Sequence, residues 1–249
     1  MKIIENNSVG FSQPCNFNDP FELEASYPSE GGDNPVDSLF KGVRSWIKKD
    51  IWKRTTGILS LTRQPLNPLM WAHYSVEHTG MVIGFDSNIE AFTCEDTNLV
   101  PIQYGSVIYT GKKPDSRFLS KPTETMEVGG TFHFPYGQLE RLQRMFLFKP
   151  MCWSYEEEVR IVKCLKGVDK TPSIKSGEFS EIEVSGRPIY LLSLPKGTIK
   201  EIYLGVRSST LKSTGDHELY KVAKEHQPKA KIFACTISKS SWSLECSEL

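Results

Sequence analysis

Ile189-Tyr190-Leu191-Leu192-Ser193-Leu194 and Ile199-Lys200-Glu201-Ile202-Tyr203-Leu204 are apolar runs of strand length with only Pro195-Lys196-Gly197-Thr198 between them. A doubly wound parallel sheet needs a crossover helix after each strand, and so short a gap cannot hold one. Working outward, further runs of the same kind stand at Ile58 to Leu61, Met81 to Phe85, Val107 to Tyr109, Val159 to Leu165 and Ile232 to Ile237.

Helices are fewer and irregularly placed. Asn34-Pro35 supplies an N-cap and a first-turn proline before Leu39, Phe40, Val43, Ile47 and Ile51, which recur at helical spacing. Asn67-Pro68 does the same for a helix running to His78, with Gly80 placed for a left-handed stop. Leu139, Leu142 and Phe146 mark a third helix from Gly137 to Phe148. A fourth runs from His217 to His226, capped by Asp216 and ended before Pro228. The pattern predicts an α+β fold over residues 1–249 as a single domain, with a mainly antiparallel, mixed sheet, whole or split, and about four helices. Gly, Ser and Pro richness from Tyr27 to Pro35 and from Gly111 to Gly130 predicts two long surface loops.

Bulk properties exclude more than they assign. Thirty basic residues balance thirty acidic ones in 249 residues, so no global field draws in nucleic acid or an anionic membrane. Cys15, Cys94, Cys152, Cys164, Cys235 and Cys246 show no CxxC and no zinc-knuckle spacing, which reads as reduced thiols. The N-terminus lacks the apolar core of a signal peptide and no run is long enough to span a bilayer, so a cytoplasmic protein with no membrane partner is expected.

Two segments mix rings with groups that donate, accept or carry protons: Met70-Trp71-Ala72-His73-Tyr74 and Trp153-Ser154-Tyr155-Glu156-Glu157-Glu158-Val159-Arg160. On the first, helical spacing puts His73 with Glu77 and Tyr74 with His78, which is not the pairing of a zinc-binding HExxH. The plain alternative is that Met70, Trp71 and Tyr74 pack in the core. On the second, read as a strand, Glu156, Glu158, Arg160 and Val162 line one face, and Tyr155, Glu157, Val159 and Ile161 the other. A carboxylate with an acid and an arginine two residues to either side has its ionisation set by both. An ordinary surface Glu–Arg pair weighs equally. Phe17-Asn18-Asp19-Pro20-Phe21-Glu22 makes a tight turn between two phenylalanines. No Walker loop, GxGxxG or GxSxG occurs.

Taken in order, Phe11-Ser12-x-Pro14-x-x-Phe17-Asn18-Asp19-Pro20-Phe21-Glu22, Ser60-Leu61-Thr62 and Met70-Trp71-Ala72-His73-Tyr74-x-x-x-His78-x-Gly80 resemble a bacterial domain of unknown function family, number 2971. Lys149-x-x-x-Trp153-x-Tyr155-Glu156-x-Glu158-x-Arg160 and Ile202-Tyr203-Leu204-Gly205 continue the resemblance. It covers about Val9 to Ile237, leaving 238–249 as a tail. The family looks related to the ADP-ribosyltransferase fold, in which a split antiparallel sheet clamps NAD and a glutamate grips the nicotinamide ribose.

The resemblance implies NAD as substrate, a bacterial toxin or phage-defence setting, and a protein or nucleic-acid acceptor or a partner protein of a defence system. Glu158, or failing it Glu156, would be the key acid, ordered by Arg160. His73, Tyr74, Trp71, Trp153, Tyr155, Asn18, Asp19 and Ser60 would line or support the substrate site, with no metal. Measured against the family, the chain enters after a first strand bearing a Tyr-Lys-Tyr-like stretch.

Two other function classes stay open at this stage. One is a nucleic-acid-cleaving toxin with Glu156, Glu158 and Asp86 on a divalent cation and His73 as base. The other is a non-catalytic sensor or interaction module, which full burial of His73 and Glu158 behind satisfied partners would favour.

Overall fold

The computed structural model describes residues 2–21, 53–112, 146–165, 178–208 and 218–249, with the backbone alone of 126–128 and 131–133. Its elements in chain order are α1 (Lys2–Asn6), β1 (Ser8–Ser12), β2 (Thr56–Thr62), α2 (Pro68–Tyr74), β3 (Met81–Phe85), α3 (Glu90–Thr93) and β4 (Ile108–Thr110). There follow β5 (Met126–Val128), β6 (Thr131–His133), β7 (Phe148–Pro150), β8 (Glu158–Cys164), β9 (Ser180–Val184), β10 (Arg187–Ser193) and β11 (Ile199–Leu204). The chain closes with α4 (Glu218–His226), β12 (Lys231–Ile237) and β13 (Leu244–Glu248).

The strands form two main sheets, so the sheet is split. One has the order β8-β2-β1-β10-β9 and is antiparallel throughout. The other has the order β13-β12-β11-β3 and is mixed, because α4 carries the chain from β11 to a parallel β12 while β3 and β13 pair antiparallel. The gap 195–198 that ruled out a crossover helix is where the chain passes from one sheet to the other. Asn7 ties this handover down by donating to the carbonyls of Leu194 and Pro195, each at 2.7 Å. The expected mixed α+β architecture is therefore the one observed.

Apolar alternation places the core. Ile58 and Val162 pack with Leu99, Val100, Phe146 and Leu147 on one side of the first sheet. Leu59, Ile161, Val9 and Phe11 pack on Phe92 on the other. With both faces covered, every residue of β8 is buried, including three charged ones. The second sheet packs Ile202, Leu204 and Ile232 against α4 and Ile4, and turns Tyr203, Cys235 and Leu244 toward Trp71 of α2.

Three expectations are corrected. The segment from Trp153 is not strand until Glu158: Met151–Glu156 is a 3₁₀ helix, and Glu157 ends it in the left-handed region at φ 42°. Helix α2 stops at Tyr74 rather than His78, because Val76, Glu77 and His78 take φ of 47°, 53° and 68°. These residues, not Gly80, make the left-handed stop, so the face-sharing of His73 with Glu77 and of Tyr74 with His78 does not arise. Phe146 and Leu147 are helical, but Phe148 opens β7 instead of closing a helix. The predicted helix from Asn34 to Ile51, the loop at Tyr27 to Pro35, residues 137–145 of the third helix and the Asp216 cap lie outside the described residues.

Candidate functional site: a buried ion chain capped by an exposed tyrosine

The site begins with a helix cap. Asn67 accepts from the backbone N–H of Leu69 and Met70 with its Oδ1, which starts α2 at Pro68. The same side chain donates through Nδ2 to the Tyr155 carbonyl at 2.7 Å. One asparagine thus fixes the start of the His-Tyr helix and its distance from the 3₁₀ turn. Thr62 adds a second tie, its hydroxyl donating to the Glu156 carbonyl at 2.7 Å.

Across this junction the Tyr74 hydroxyl donates to Glu156 Oε1 at 2.6 Å. The Glu156 carboxylate also accepts from Lys149 Nζ, which donates to Glu158 Oε2 at 2.9 Å. Glu158 in turn accepts from Arg160, Nε to Oε1 at 2.8 Å and Nη2 to Oε2 at 3.1 Å. Arg160 Nη1 donates to the Phe146 carbonyl at 2.7 Å, and its guanidinium lies 5.9 Å from the Phe17 ring. Tyr109, from β4, accepts the Glu158 backbone N–H at 2.9 Å. Glu156, Glu158, Lys149 and Arg160 are all buried, whereas the Tyr74 ring is 56% exposed.

These charges balance, two anions against two cations, which is how four ionised groups can sit away from water. Burial alone would raise the Glu158 carboxyl, but the charge and hydrogen bonds of Arg160, then Lys149 and Ser60, hold it down at about 2. Burial pushes the Lys149 ammonium down; the charge of Glu158 and the bonds to both glutamates outweigh this and leave it raised. Tyr74 is raised well above its usual value, first by burial, then by its bond to Glu156 and that carboxylate's charge. The phenol therefore remains a donor through neutral pH.

Rings frame the exposed end. His73 lies 6.2 Å from both Tyr74 and Tyr155, Trp153 lies 6.1 Å from Tyr155, and Lys149 Nζ stands 5.2 Å from the Trp153 ring. His73 is exposed, with Trp153 and Tyr155 half-buried. The arrangement can present a hydrogen-bonded carboxylate beside flat apolar faces.

Other residues singled out from the sequence have structural roles. Trp71 is fully buried, donates to the Pro65 carbonyl at 2.7 Å and stacks on His78 at 6.3 Å, so it supports α2 and lines nothing. Asp19 accepts from Phe21 N–H at 2.9 Å in the expected turn, and Asn18 Oδ1 accepts from Arg187 at 3.3 Å. That turn reaches the site through the Phe17 ring, which lies under the Arg160 guanidinium. Ser60 is exposed on β2, opposite Arg160 in register, and its hydroxyl serves Glu158. Gly205 is a packing residue: a Cβ there would stand 2.2 Å from the His78 carbonyl oxygen, where β11 ends against the left-handed turn.

Lys149 was quoted from the sequence only as a motif position, yet it links the two acids; its place seven residues before Glu156 was the available signal. Tyr109 gave none, since it arrives on β4, which pairs with β7 outside the two main sheets. The residues do not suit the divalent cation of the nuclease reading, because an ammonium already bridges Glu156 and Glu158. Asp86 pairs instead with Lys200 at 3.4 Å, in the other sheet. Among the described residues no cluster of His, Cys, Asp and Glu has a metal-holding arrangement.

The family model described as "Protein of unknown function (DUF2971)" matches residues 70–161, a span that contains α2 from Met70 onward, Lys149 and the ion chain through Arg160. The resemblance drawn from the ordered motifs is borne out over that segment. No curated protein and no solved structure matches the chain. No helix among the described residues is long and apolar enough to cross a membrane.

Proposed function

We propose that the chain is an ADP-ribosyltransferase-like enzyme that cleaves NAD at the nicotinamide–ribose bond, as an effector in a bacterial toxin or phage-defence setting. The observation that carries the reading is the Tyr74–Glu156 hydrogen bond, which brings an otherwise buried carboxylate to an exposed ring face. Cleavage passes through an oxocarbenium-like state, and a fixed carboxylate near the ribose stabilises its positive charge more than it stabilises the ground state. The rings of Tyr74, His73 and Tyr155 offer faces for nicotinamide.

Glu156 takes the working role here, and Glu158 with Arg160 the positioning one. Glu158 is committed to Arg160, Lys149 and Ser60, while the side chains that bond Glu156 among the described residues are Lys149 and the displaceable Tyr74 hydroxyl. An acceptor, protein or nucleic acid, would approach from the exposed side of Tyr74. The split sheet, with β8 at an outer position, also fits the reading.

The test is to incubate purified protein with NAD and cell extract, follow nicotinamide release, and repeat with Glu156→Gln. The wild type should release nicotinamide and the variant should lose at least about a hundredfold, the scale of one transition-state contact. Equal rates would remove Glu156 from the mechanism. A second reading, a non-catalytic interaction module, is favoured by the complete pairing of buried Glu158 but not by His73, which is exposed; absence of release from a folded wild type would uphold it.

A further inference from the structure

Strands β12 and β13 pair with Cys235 directly opposite Cys246. Opposed residues of an antiparallel ladder alternate between pairs that exchange backbone hydrogen bonds and pairs that do not. At one end of this hairpin Ser238 N–H donates to the Ser243 carbonyl at 3.0 Å, and at the other Leu249 N–H donates to the Ile232 carbonyl at 2.9 Å. Stepping inward from Ser238–Ser243, Ile237–Leu244 is non-bonded, Thr236–Glu245 bonded and Cys235–Cys246 non-bonded. Stepping from Ile232–Leu249 gives the same parity for the cysteines. Non-bonded pairs hold their Cα atoms about 4.5 Å apart with side chains on the same face, inside the roughly 4.4–6.8 Å that a disulfide spans.

The two thiols differ in a way that assigns their roles. Cys246 is exposed on the outermost strand of its sheet. Cys235 is fully buried in the cluster of Trp71, Tyr203 and Leu244. Burial, and then the neighbouring Cys246, pushes the Cys235 thiol up to about 11. An oxidant in solution therefore meets Cys246 first, and Cys235 waits beneath it as a second sulfur.

We propose that Cys235 and Cys246 form a reversible oxidation site for a hydroperoxide. The Cys246 thiolate attacks one peroxide oxygen; the O–O bond breaks, the sulfur becomes a sulfenic acid, and the other oxygen leaves as water with the thiol proton. The Cys235 sulfur then attacks the Cys246 sulfur; the S–O bond breaks and a second water leaves with the Cys235 proton. Two thiols and one hydrogen peroxide thus give one disulfide and two waters. A small dithiol reverses the step by supplying two electrons and two protons. The site depends on the hairpin alone and is independent of the NAD reading.

The full chain, reduced, is treated with hydrogen peroxide, quenched by alkylation in denaturant, and its peptides are weighed without reduction. A Cys235–Cys246 linked peptide should appear, lighter by two hydrogens, and vanish on addition of dithiothreitol. It should form at least about tenfold more in the folded chain than in the guanidinium-unfolded chain, because the register supplies the geometry. Cys246→Ser, an exposed change that leaves the core intact, should leave Cys235 fully alkylatable after peroxide. The proposal is overturned if Cys246 collects as sulfinic acid or as an intermolecular disulfide while Cys235 stays free, or if linkage is equal in folded and unfolded chain.

Discussion

Tyr74 and Glu156 stand 82 residues apart in sequence, and the tyrosine hydroxyl donates to the glutamate Oε1 at 2.6 Å. This bond joins the two segments whose mixture of rings and acids marked them out from the rest of the chain. It also gives the buried charges of Glu156 and Lys149 their link to an exposed surface.

Tyr74→Phe tests that link. The ring stays, and Glu156 retains Lys149, so the free energy of chemical unfolding should fall by no more than about 1 kcal/mol, an ordinary hydrogen-bond contribution at a half-open site. Nicotinamide release should fall about tenfold, since the carboxylate loses the donor that orients it. Because the phenol is raised well above its usual value, the wild-type rate should show no titration assignable to Tyr74 near neutrality. An unchanged rate in the phenylalanine variant would separate the Tyr74 hydroxyl from the chemistry.

Lys149→Met tests the chain of charges. Its ammonium is shared by Glu156 and Glu158, and removing one partner of a buried ion group costs about 3–5 kcal/mol because the rest is left uncompensated. Urea unfolding at neutral pH should show a loss of that size. Two neighbouring carboxylates without their cation cannot both stay ionised cheaply, so the deficit should shrink as the pH is lowered. A loss independent of pH would mean that Lys149 acts by packing its stem alone.

Acid should unfold the wild type in a defined window. Glu158 has a folded pKa of about 2 against an ordinary 4.5. With the folded value depressed, the unfolded chain binds the proton first. The contribution is therefore present in full above about 4.5 and is lost as the pH falls toward 2. A shift of that size amounts to roughly 3 kcal/mol. Lys149, whose pKa is raised against burial by the Glu158 charge, loses that part of its contribution as Glu158 is protonated and the remainder only on the alkaline side. In Glu158→Gln the acid-side slope should flatten, on a lower plateau; an unchanged slope would assign the acid lability to other carboxylates.

The sequence announces β3 and β11 to the residue, β3 as the apolar run Met81 to Phe85 and β11 through Ile199, Ile202, Tyr203 and Leu204, whose apolar side chains outweigh Lys200 and Glu201 between them. It does not announce β9 (Ser180–Val184) or β13 (Leu244–Glu248), outer strands whose Glu and Ser positions face water and dilute the alternation. The segment 153–156 reads as strand because Trp153 and Tyr155 favour sheets; the break at Glu157 is left-handed without a glycine to signal it. Within the site, Glu156, Glu158, Arg160 and Tyr74 were visible as chemistry-bearing types at short spacing. The pairing of Glu158 with Arg160 was visible too, but the link between Glu156 and Glu158 through Lys149 of β7 and the bond of Tyr74 to Glu156 were not, being contacts that no local period encodes.

Asn67→Asp separates helix capping from site assembly. Aspartate caps as well as asparagine, so Leu69 and Met70 N–H keep their acceptor and α2 should retain its start. The donor to the Tyr155 carbonyl is lost, however, and a carboxylate oxygen is set against that carbonyl in its place. Two acceptors facing each other at hydrogen-bond distance repel, which should move the 3₁₀ turn away from α2 and lengthen the Tyr74–Glu156 contact. Helical content by circular dichroism should stay at the wild-type level while nicotinamide release falls at least about tenfold, as misplacement of a reacting group predicts. Asn67→Ala, which loses the cap as well, should cost about a further 1 kcal/mol in stability. If the aspartate variant matches the wild type in rate, the Asn67–Tyr155 tie does not set the position of Glu156.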